Sequence, residues 1–332
     1  MTLRAAVIGV GSMGRNHARV YNELPAAQLV AVADVDPIAI ESISHTTQVR
    51  AYLDYRQMLE VERPQVVSIA LPTYLHSEAA QAALEAGANV LVEKPIAASL
   101  EQGQRLIQLA KELNRLLMVG HIVRFNPAVQ ALKQKIQNGD LGRIFQIICR
   151  RVGPFPERLR DVGVVIDLAP HDIDLMRYLT GLDPLRVYAE TEQRIHTEQE
   201  DLFLGLLRFP DQVSGLLEIN WLTPTKVREV LVLGEYGLLR VDDLTQDLYF
   251  YENAQVSSIQ WSNLQNIKGV SEGSMTRYAI QRSEPLKVEL QAFLRAVEDG
   301  SPSPVSGEDG LAALSIALAL VESGRSHRVI EL

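Results

Sequence analysis

The feature that most constrains this chain lies in its first fourteen residues. The apolar run Ala5-Ala-Val-Ile8 leads directly into Gly9-Val-Gly11-Ser-Met-Gly14, and a helix-forming stretch follows. A buried strand that ends in Gly-x-Gly-x-x-Gly and continues as a helix gathers backbone N–H groups and a helix N-terminus at one point, where they can hold a pyrophosphate. Gly9 permits the tight turn, Gly11 lets the backbone approach the phosphates, and Gly14 lets the helix pack closely on the strand. The glycine pattern alone is a weak signal. Here a second apolar run, Leu29-Val-Ala-Val-Ala-Asp34, ends in a carboxylate twenty residues after Gly14, where a ribose-binding acid belongs. Asp34 there would accept the adenosine ribose hydroxyls and repel a 2′-phosphate. Val35 and Asp36 follow it in place of an arginine, so NAD is expected in preference to NADP. A plain turn or capping role is the alternative for Asp34.

Up to about residue 118, short apolar runs alternate with amphipathic stretches. Residues 5–8, 29–33, 66–70, 90–92 and 116–119 have the continuous apolar character of parallel strands covered on both faces. Residues 76–86 and 100–113 have helical patterns, the first stopped by Gly87 and the second capped by Ser99. This alternation predicts a doubly wound α/β domain over residues 1–122.

From about residue 125 the pattern changes. A helix over 128–137 and a strand over 144–151 precede a helix beginning near Val164 and running to Tyr178. Six further β-like runs follow, at 186–192, 202–209, 213–220, 227–233, 238–242 and 248–251. Short turns such as Phe209-Pro-Asp-Gln212 and Gly234-Glu-Tyr-Gly237 join some of them, as in an antiparallel or mixed sheet. Residues 253–283 are polar and irregular, the composition of a long loop over the site. Helices at 286–297 and 308–322 are expected to pack back on the body, the second domain spanning 123–332.

Composition excludes several classes of function. The formal net charge is −9, from 41 acidic and 32 basic residues, which disfavours a nucleic-acid binder because that class needs a basic surface. No run approaches the ~18 apolar residues of a membrane span, and the N-terminal residues lack a signal-peptide pattern. The single cysteine, Cys149, fits a reducing compartment, and its apolar run Phe145-Gln-Ile-Ile-Cys149 favours a buried thiol over a reactive one. The expectation is a cytoplasmic protein.

Two polar constellations stand out. Glu93-Lys94-Pro95 closes the apolar run 90–92, and ligands of an open α/β sheet collect at the carboxyl ends of its strands. Lys94 there points into the cleft or is an ordinary solvated lysine. Asp167-Leu-Ala-Pro-His171 ends an apolar stretch, and its acid and imidazole lie four apart on one helical face. Such a histidine, steered by a carboxylate, can move a hydroxyl proton near neutral pH. A satisfied core histidine, a capping aspartate or half of a metal site fit the same spacing, although no third metal ligand is evident and none is expected.

Taken together, Gly9–Gly14, Asp34, Pro72-Thr-Tyr-Leu-His76, Glu93-Lys94-Pro95 and Asp167-x-x-x-His171 resemble the glucose–fructose oxidoreductase / inositol dehydrogenase / MocA family. The resemblance extends over essentially the whole chain, including Pro285-Leu-Lys-Val-Glu-Leu-Gln-Ala-Phe and Val305-Ser-Gly-Glu-Asp-Gly310. It implies a Rossmann domain followed by an α/β domain with a large open, mostly antiparallel sheet used for assembly into a homodimer or homotetramer. It implies an NAD site formed by Gly9, Gly11, Ser12, Met13, Gly14, Asp34, Pro72, Thr73, His76, Glu93 and Lys94. Lys94, Asp167 and His171 then line the place where nicotinamide meets a sugar, and the Lys94–Pro95 bond is often cis in such proteins. His171 is the expected base, Lys94 stabilises the developing oxyanion and Asp167 orients them, with Lys94 as base the alternative.

Gly120-His-Ile-Val-Arg124-Phe-Asn126-Pro and Val152-Gly-Pro-Phe-Pro-Glu-Arg158-Leu-Arg160-Asp161 resemble a narrower branch that oxidises the 3-hydroxyl of UDP-N-acetylglucosamine. Arg124, Asn126, Arg158 and Arg160, with His171, are then candidate substrate contacts, the arginines offering donors to a diphosphate. The same arginines fit ordinary ion pairs. An inositol or other polyol dehydrogenase, and a non-catalytic NAD-binding sensor, are the alternatives, the latter disfavoured because Lys94, Asp167 and His171 are all present.

Overall fold

The structure, a computed structural model, describes residues 2–47, 49–155, 163–195, 199–254 and 272–332. The N-terminal half alternates strand and helix: β1 (Leu3–Ile8), α1 (Ser12–Glu23), β2 (Ala27–Ala33), α2 (Pro37–Thr47), β3 (Arg50–Tyr52), α3 (Tyr55–Glu62), β4 (Val66–Ile69), α4 (Thr73–Glu85), β5 (Asn89–Glu93), α5 (Leu100–Glu112) and β6 (Leu117–Gly120). The six strands form one parallel sheet in the order β3-β2-β1-β4-β5-β6. Chain order reverses between β1 and β4, so the crevice beyond their carboxyl ends is the natural ligand position of this sheet. The apolar runs are buried as expected: Ala5, Ala6, Val7, Val66, Val67, Val90 and Leu91 are fully covered. Ser99 caps α5 by accepting the Gln102 N–H at 3.3 Å, and Gly87 takes a left-handed φ of +87° just past α4.

The rest of the chain continues with α6 (Pro127–Gln137), β7 (Ile144–Pro154), α7 (Val164–Thr180), β8 (Arg186–Glu192), β9 (Leu202–Arg208), β10 (Ser214–Asn220), β11 (Leu222–Gly234), β12 (Gly237–Asp242), β13 (Asp247–Asn253), β14 (Glu272–Tyr278), α8 (Pro285–Asp299), α9 (Gly307–Ser326) and β15 (Ile330–Glu331). Nine strands form a second sheet, ordered β14-β13-β12-β11-β7-β10-β9-β8-β15, in which β7 and β10 are parallel and the other pairs antiparallel. Helices α6 and α7 cover one face. Along β7 the alternation is clear: Ile147, Cys149 and Arg151 are buried, whereas Gln146, Ile148 and Arg150 are not. Burial pushes the Cys149 thiol well above its ordinary ionisation range.

Part of the stretch expected as a loop at 253–283 is strand. Residues 272–278 form β14, at one edge of the sheet, and residues 255–271 lie outside the described residues. Exposed edge positions have no buried face, so Ser274, Thr276 and Arg277 carry none of the apolar alternation that marks a strand in a sequence.

The chain divides into two compact units. One comprises Met1–Phe125 and Ser283–Ser315; the other comprises Asn126–Arg282 and Ile316–Leu332. In the first, Leu286, Leu290, Phe293 and Leu294 of α8 join the Rossmann core. Among the described residues, no helix is long and apolar enough to cross a membrane.

Candidate active site

In the first unit, three glycines shape the crevice beyond β1 and β4. Gly9 has φ +85°, and a Cβ there would stand 2.6 Å from the Ala70 carbonyl oxygen at the end of β4. At Gly14 a Cβ would fall 1.8 Å from the Gly9 carbonyl oxygen, so only hydrogen lets α1 follow β1 this closely. Gly11 differs, because nothing lies within 4 Å of its Cβ position. Gly11 and Ser12 are exposed at the start of α1, Met13 is half-buried, and no side chain caps that helix. An open backbone cradle at an uncapped helix N-terminus suits a pyrophosphate.

Asp34 is tied to this cradle. Its Oδ2 accepts the Val10 N–H at 2.7 Å, and its Oδ1 accepts the Asp36 N–H at 2.9 Å. Each carboxylate oxygen accepts more than one hydrogen bond, so this anchoring leaves capacity for ribose hydroxyls. The residues present therefore fit an adenine dinucleotide. Across the crevice, Pro72 is exposed as the N-cap of α4 and Thr73 is half-buried. His76 is buried between two carbonyl oxygens, Pro95 at 2.8 Å from Nδ1 and Leu71 at 2.8 Å from Nε2. Burial draws its imidazole below the ordinary histidine range, against the opposing pull of the two carbonyls and of Glu93. His76 therefore braces the turns of the crevice.

Glu93 and Lys94, at the end of β5, are half-buried, and the Lys94–Pro95 bond is cis. Burial pushes the Glu93 carboxyl up, but a hydrogen bond and charge from His17, with the charges of Lys94 and His76, hold it below the ordinary carboxylate range. The partner, Nε2 of His17 on α1, lies 2.9 Å from Oε1. Nothing in Arg15-Asn-His17-Ala marks His17 in the sequence, since its partner is 76 residues away.

In the second unit, Asp167 and His171 lie one turn apart on α7, both half-buried, whereas Asp172 and Asp174 are almost wholly covered. The helix is fixed at two points. Its N-terminus meets Glu200, whose carbonyl accepts the Val164 N–H at 3.0 Å and whose Oε1 accepts the Val165 N–H at 3.3 Å. Beside His171, Asp172 takes a forked pair of hydrogen bonds from buried Arg151 of β7, with Nε 2.9 Å from Oδ2 and Nη2 2.7 Å from Oδ1. Burial opposes the Arg151 charge, and Asp172 more than restores it, so the guanidinium stays protonated. Next to it on β11, Arg228 donates to the carbonyl oxygens of Val152 and Val227 at 2.7 and 2.8 Å. Burial and the Arg151 charge push Arg228 down to about 10, while Asp172, Asp243 and Asp167 pull the other way. Glu200, Arg151 and Arg228 stand in no motif that the sequence displays. Arg150-Arg151 in an apolar strand is the visible signal, since strand alternation turns one of two consecutive arginines inward.

The other candidates fall as follows. Arg124 is almost fully buried in the first unit, with Nη2 3.3 Å from Oδ1 of Asp309. Asn126, in the second, caps α6 by accepting the Ala128 N–H at 2.9 Å and donates to the Asp243 carbonyl oxygen at 2.9 Å. Arg158 and Arg160 lie outside the described residues. Within its unit, the structure gathers Gly9–Gly14, Asp34, Pro72, Thr73, His76, Glu93 and Lys94 around the carboxyl ends of β1, β2, β4 and β5. Asp167 and His171 share one face of α7 in the other.

Comparison with known proteins agrees with this anatomy. The chain is 29% identical to a UDP-N-acetylglucosamine 3-dehydrogenase of Acidithiobacillus ferrooxidans, over 95% of each chain. It is 26% identical to a myo-inositol 2-dehydrogenase of Thermotoga maritima, over 99% of this chain and 98% of the other. A solved structure of the Acidithiobacillus ferrooxidans enzyme superposes with a TM-score of 0.86 at 27% identity, covering 98% of both chains. Residues 3–121 match the oxidoreductase family with an NAD-binding Rossmann fold, and residues 129–240 match the GFO/IDH/MocA C-terminal domain. The chain belongs to the GFO/IDH/MocA family of NAD-binding oxidoreductases.

Proposed function

We propose that this protein oxidises a sugar hydroxyl to a ketone with NAD, and that its substrate is a UDP-linked N-acetylhexosamine oxidised at the 3-hydroxyl. The observation that carries the proposal is the pair Asp167 and His171, half-exposed on one face of a helix whose neighbouring acid is clamped by Arg151. His171 takes the hydroxyl proton, Lys94 donates a hydrogen bond to the same oxygen, and Asp167 orients the imidazole. NAD, when bound, supplies the hydride acceptor. Replacing Lys94 or His171 by Ala is expected to lower turnover by at least ~10²-fold while leaving NAD binding in place. Near-full activity in either variant would remove that residue from the role.

Similarity to the UDP-N-acetylglucosamine 3-dehydrogenase supports the nucleotide sugar. So does charge: a protein of net charge −9 needs local cations to bind a dianion, and Arg228, near Asp167, is one. Arg158 and Arg160 are proposed as further contacts. Arg124 and Asn126 are proposed as substrate contacts as well. We place the enzyme in the cytoplasm, as a homodimer or homotetramer assembled through the open sheet.

The test is NADH formation with UDP-N-acetylglucosamine, free N-acetylglucosamine and myo-inositol. Turnover confined to the nucleotide sugar is expected. Equal or better turnover of the free sugar or the polyol would overturn the substrate and favour the inositol dehydrogenases among the relatives.

A further inference from the structure

Lys94 sits on a turn whose flanking residues are both held by buried histidines. On one side, Glu93 meets Nε2 of His17 at 2.9 Å. On the other, the Pro95 carbonyl oxygen lies 2.8 Å from Nδ1 of His76. His17 is wholly buried on α1, and its Nδ1 has no hydrogen-bond partner among the described residues. An ionised carboxylate only accepts, so the ring proton that the pair requires is the one on Nε2.

Gly120 completes the setting. It pairs with Glu93 across β5 and β6, and a Cβ there would stand 3.2 Å from the carboxyl carbon and from both carboxylate oxygens. The glycine therefore leaves the carboxylate its room. Strand pairing needs only the Glu93 backbone, and an apolar side chain could fill this space without the cost of desolvating a charge. A half-buried carboxylate kept under these conditions, one residue before Lys94, calls for a use.

We propose that His17 and Glu93 are positioning residues for Lys94. The His17 N–H fixes the carboxylate, and the carboxylate fixes the direction of the lysine ammonium. His17 belongs to the helix whose uncapped N-terminus would hold the pyrophosphate, so Lys94 is tied to the same helix that would hold the cofactor. The inference rests on Lys94 acting at the reacting hydroxyl. The charged and titratable groups around Glu93 are His17 from α1, His76 from α4 and Lys94 on its own turn. Glu289 of α8 acts on Tyr21, one turn along α1 from His17.

The experiment compares the full-length variants H17A, H17Q, E93Q, G120A and K94A. Melting temperature and NAD titration serve as controls. A misplaced lysine is expected to lower kcat about ten- to a hundredfold in H17A and E93Q, with KM for the sugar little changed in both and NAD affinity little changed in H17A. H17Q, whose side-chain amide can donate to the carboxylate, recovers most of the loss. G120A keeps all three side chains but displaces the carboxylate, and it falls between. A second readout needs no substrate: the rate of Lys94 acetylation by acetic anhydride at one fixed pH, followed by mass spectrometry. A lysine released from its carboxylate is expected to be acetylated faster in H17A and E93Q than in the parent. If E93Q does not fold, G120A carries the same test, with a smaller rise. Unchanged kcat in H17A together with an unchanged acetylation rate would overturn the positioning pair. An active K94A would instead overturn the role of Lys94, whatever the acetylation rate shows.

Discussion

The Asp34 carboxylate accepts one N–H from the glycine-rich loop and one from its own turn, so replacing it removes more than a ribose contact. Hydrogen bonds to a charged group contribute about 1.5–3 kcal/mol. Asp34→Ala is therefore expected to weaken NAD binding roughly ten- to a hundredfold and to narrow the gap to NADP, measured by isothermal titration of both dinucleotides. An unmodified protein that binds NADP more tightly would leave the carboxylate with its structural bonds alone. Lys94, Asp167 and His171 were legible in the sequence because a polar residue at the end of an apolar run is costly to place without a purpose. His17 and Arg151 were not, because what distinguishes them is a partner on another element, Glu93 for one and Asp172 for the other. Arg124 and Asn126 were named from a resemblance, and the fold engages one with Asp309 and the other with the N-terminus of α6. A sequence does not separate a polar group held by the fold from one offered to a ligand.

Among the elements, α7 depends most on a single buried pair. Arg151 and Asp172 are each less than a tenth exposed, and losing one partner strands the other's charge. Asp172→Asn is expected to destabilise the protein by about 3–5 kcal/mol, read as a lowered urea midpoint with an unchanged slope. Exchanging both residues for apolar ones of similar volume should recover most of that stability. A single variant as stable as the parent would show that α7 is held elsewhere. Long elements with a buried stripe could be read in advance: β8 runs from Arg186 to Glu192 as its alternation indicates. The helix from Val164 continues through Pro170, an interior position, and gives up the backbone hydrogen bond that the missing proline N–H would make. The short strands β3 and β15 went unread, since three and two residues carry no period. Their pairing is set by the neighbours β2 and β8.

At the scale of the whole molecule, the second sheet has one face under helices and, among the described residues of its unit, no helix on the other. Across that other face, Tyr188, Leu206, Leu216, Ile148 and Leu231 form a row running through five adjacent strands. Leu206 is 53% exposed. A contiguous apolar row of this kind suits a second copy of the chain. Leu206→Arg is expected to shift the protein toward monomer in size-exclusion chromatography with light scattering, and an unchanged mass would move the interface elsewhere. The path of the chain carries a further consequence, for the order in which the protein can be made. Both units are closed by late residues: α8 supplies Leu286, Leu290, Phe293 and Leu294 to the first core, and Ile330 and Glu331 pair with β8 at the edge of the second. A nascent chain that has just emerged through residue 125 thus holds every Rossmann strand but leaves the apolar bed of α8 uncovered. A fragment ending there should aggregate or bind holdase chaperones, whereas the same fragment joined by a flexible linker to residues 283–315 should stay in solution. The first core can close only once residues 283–315 have been made.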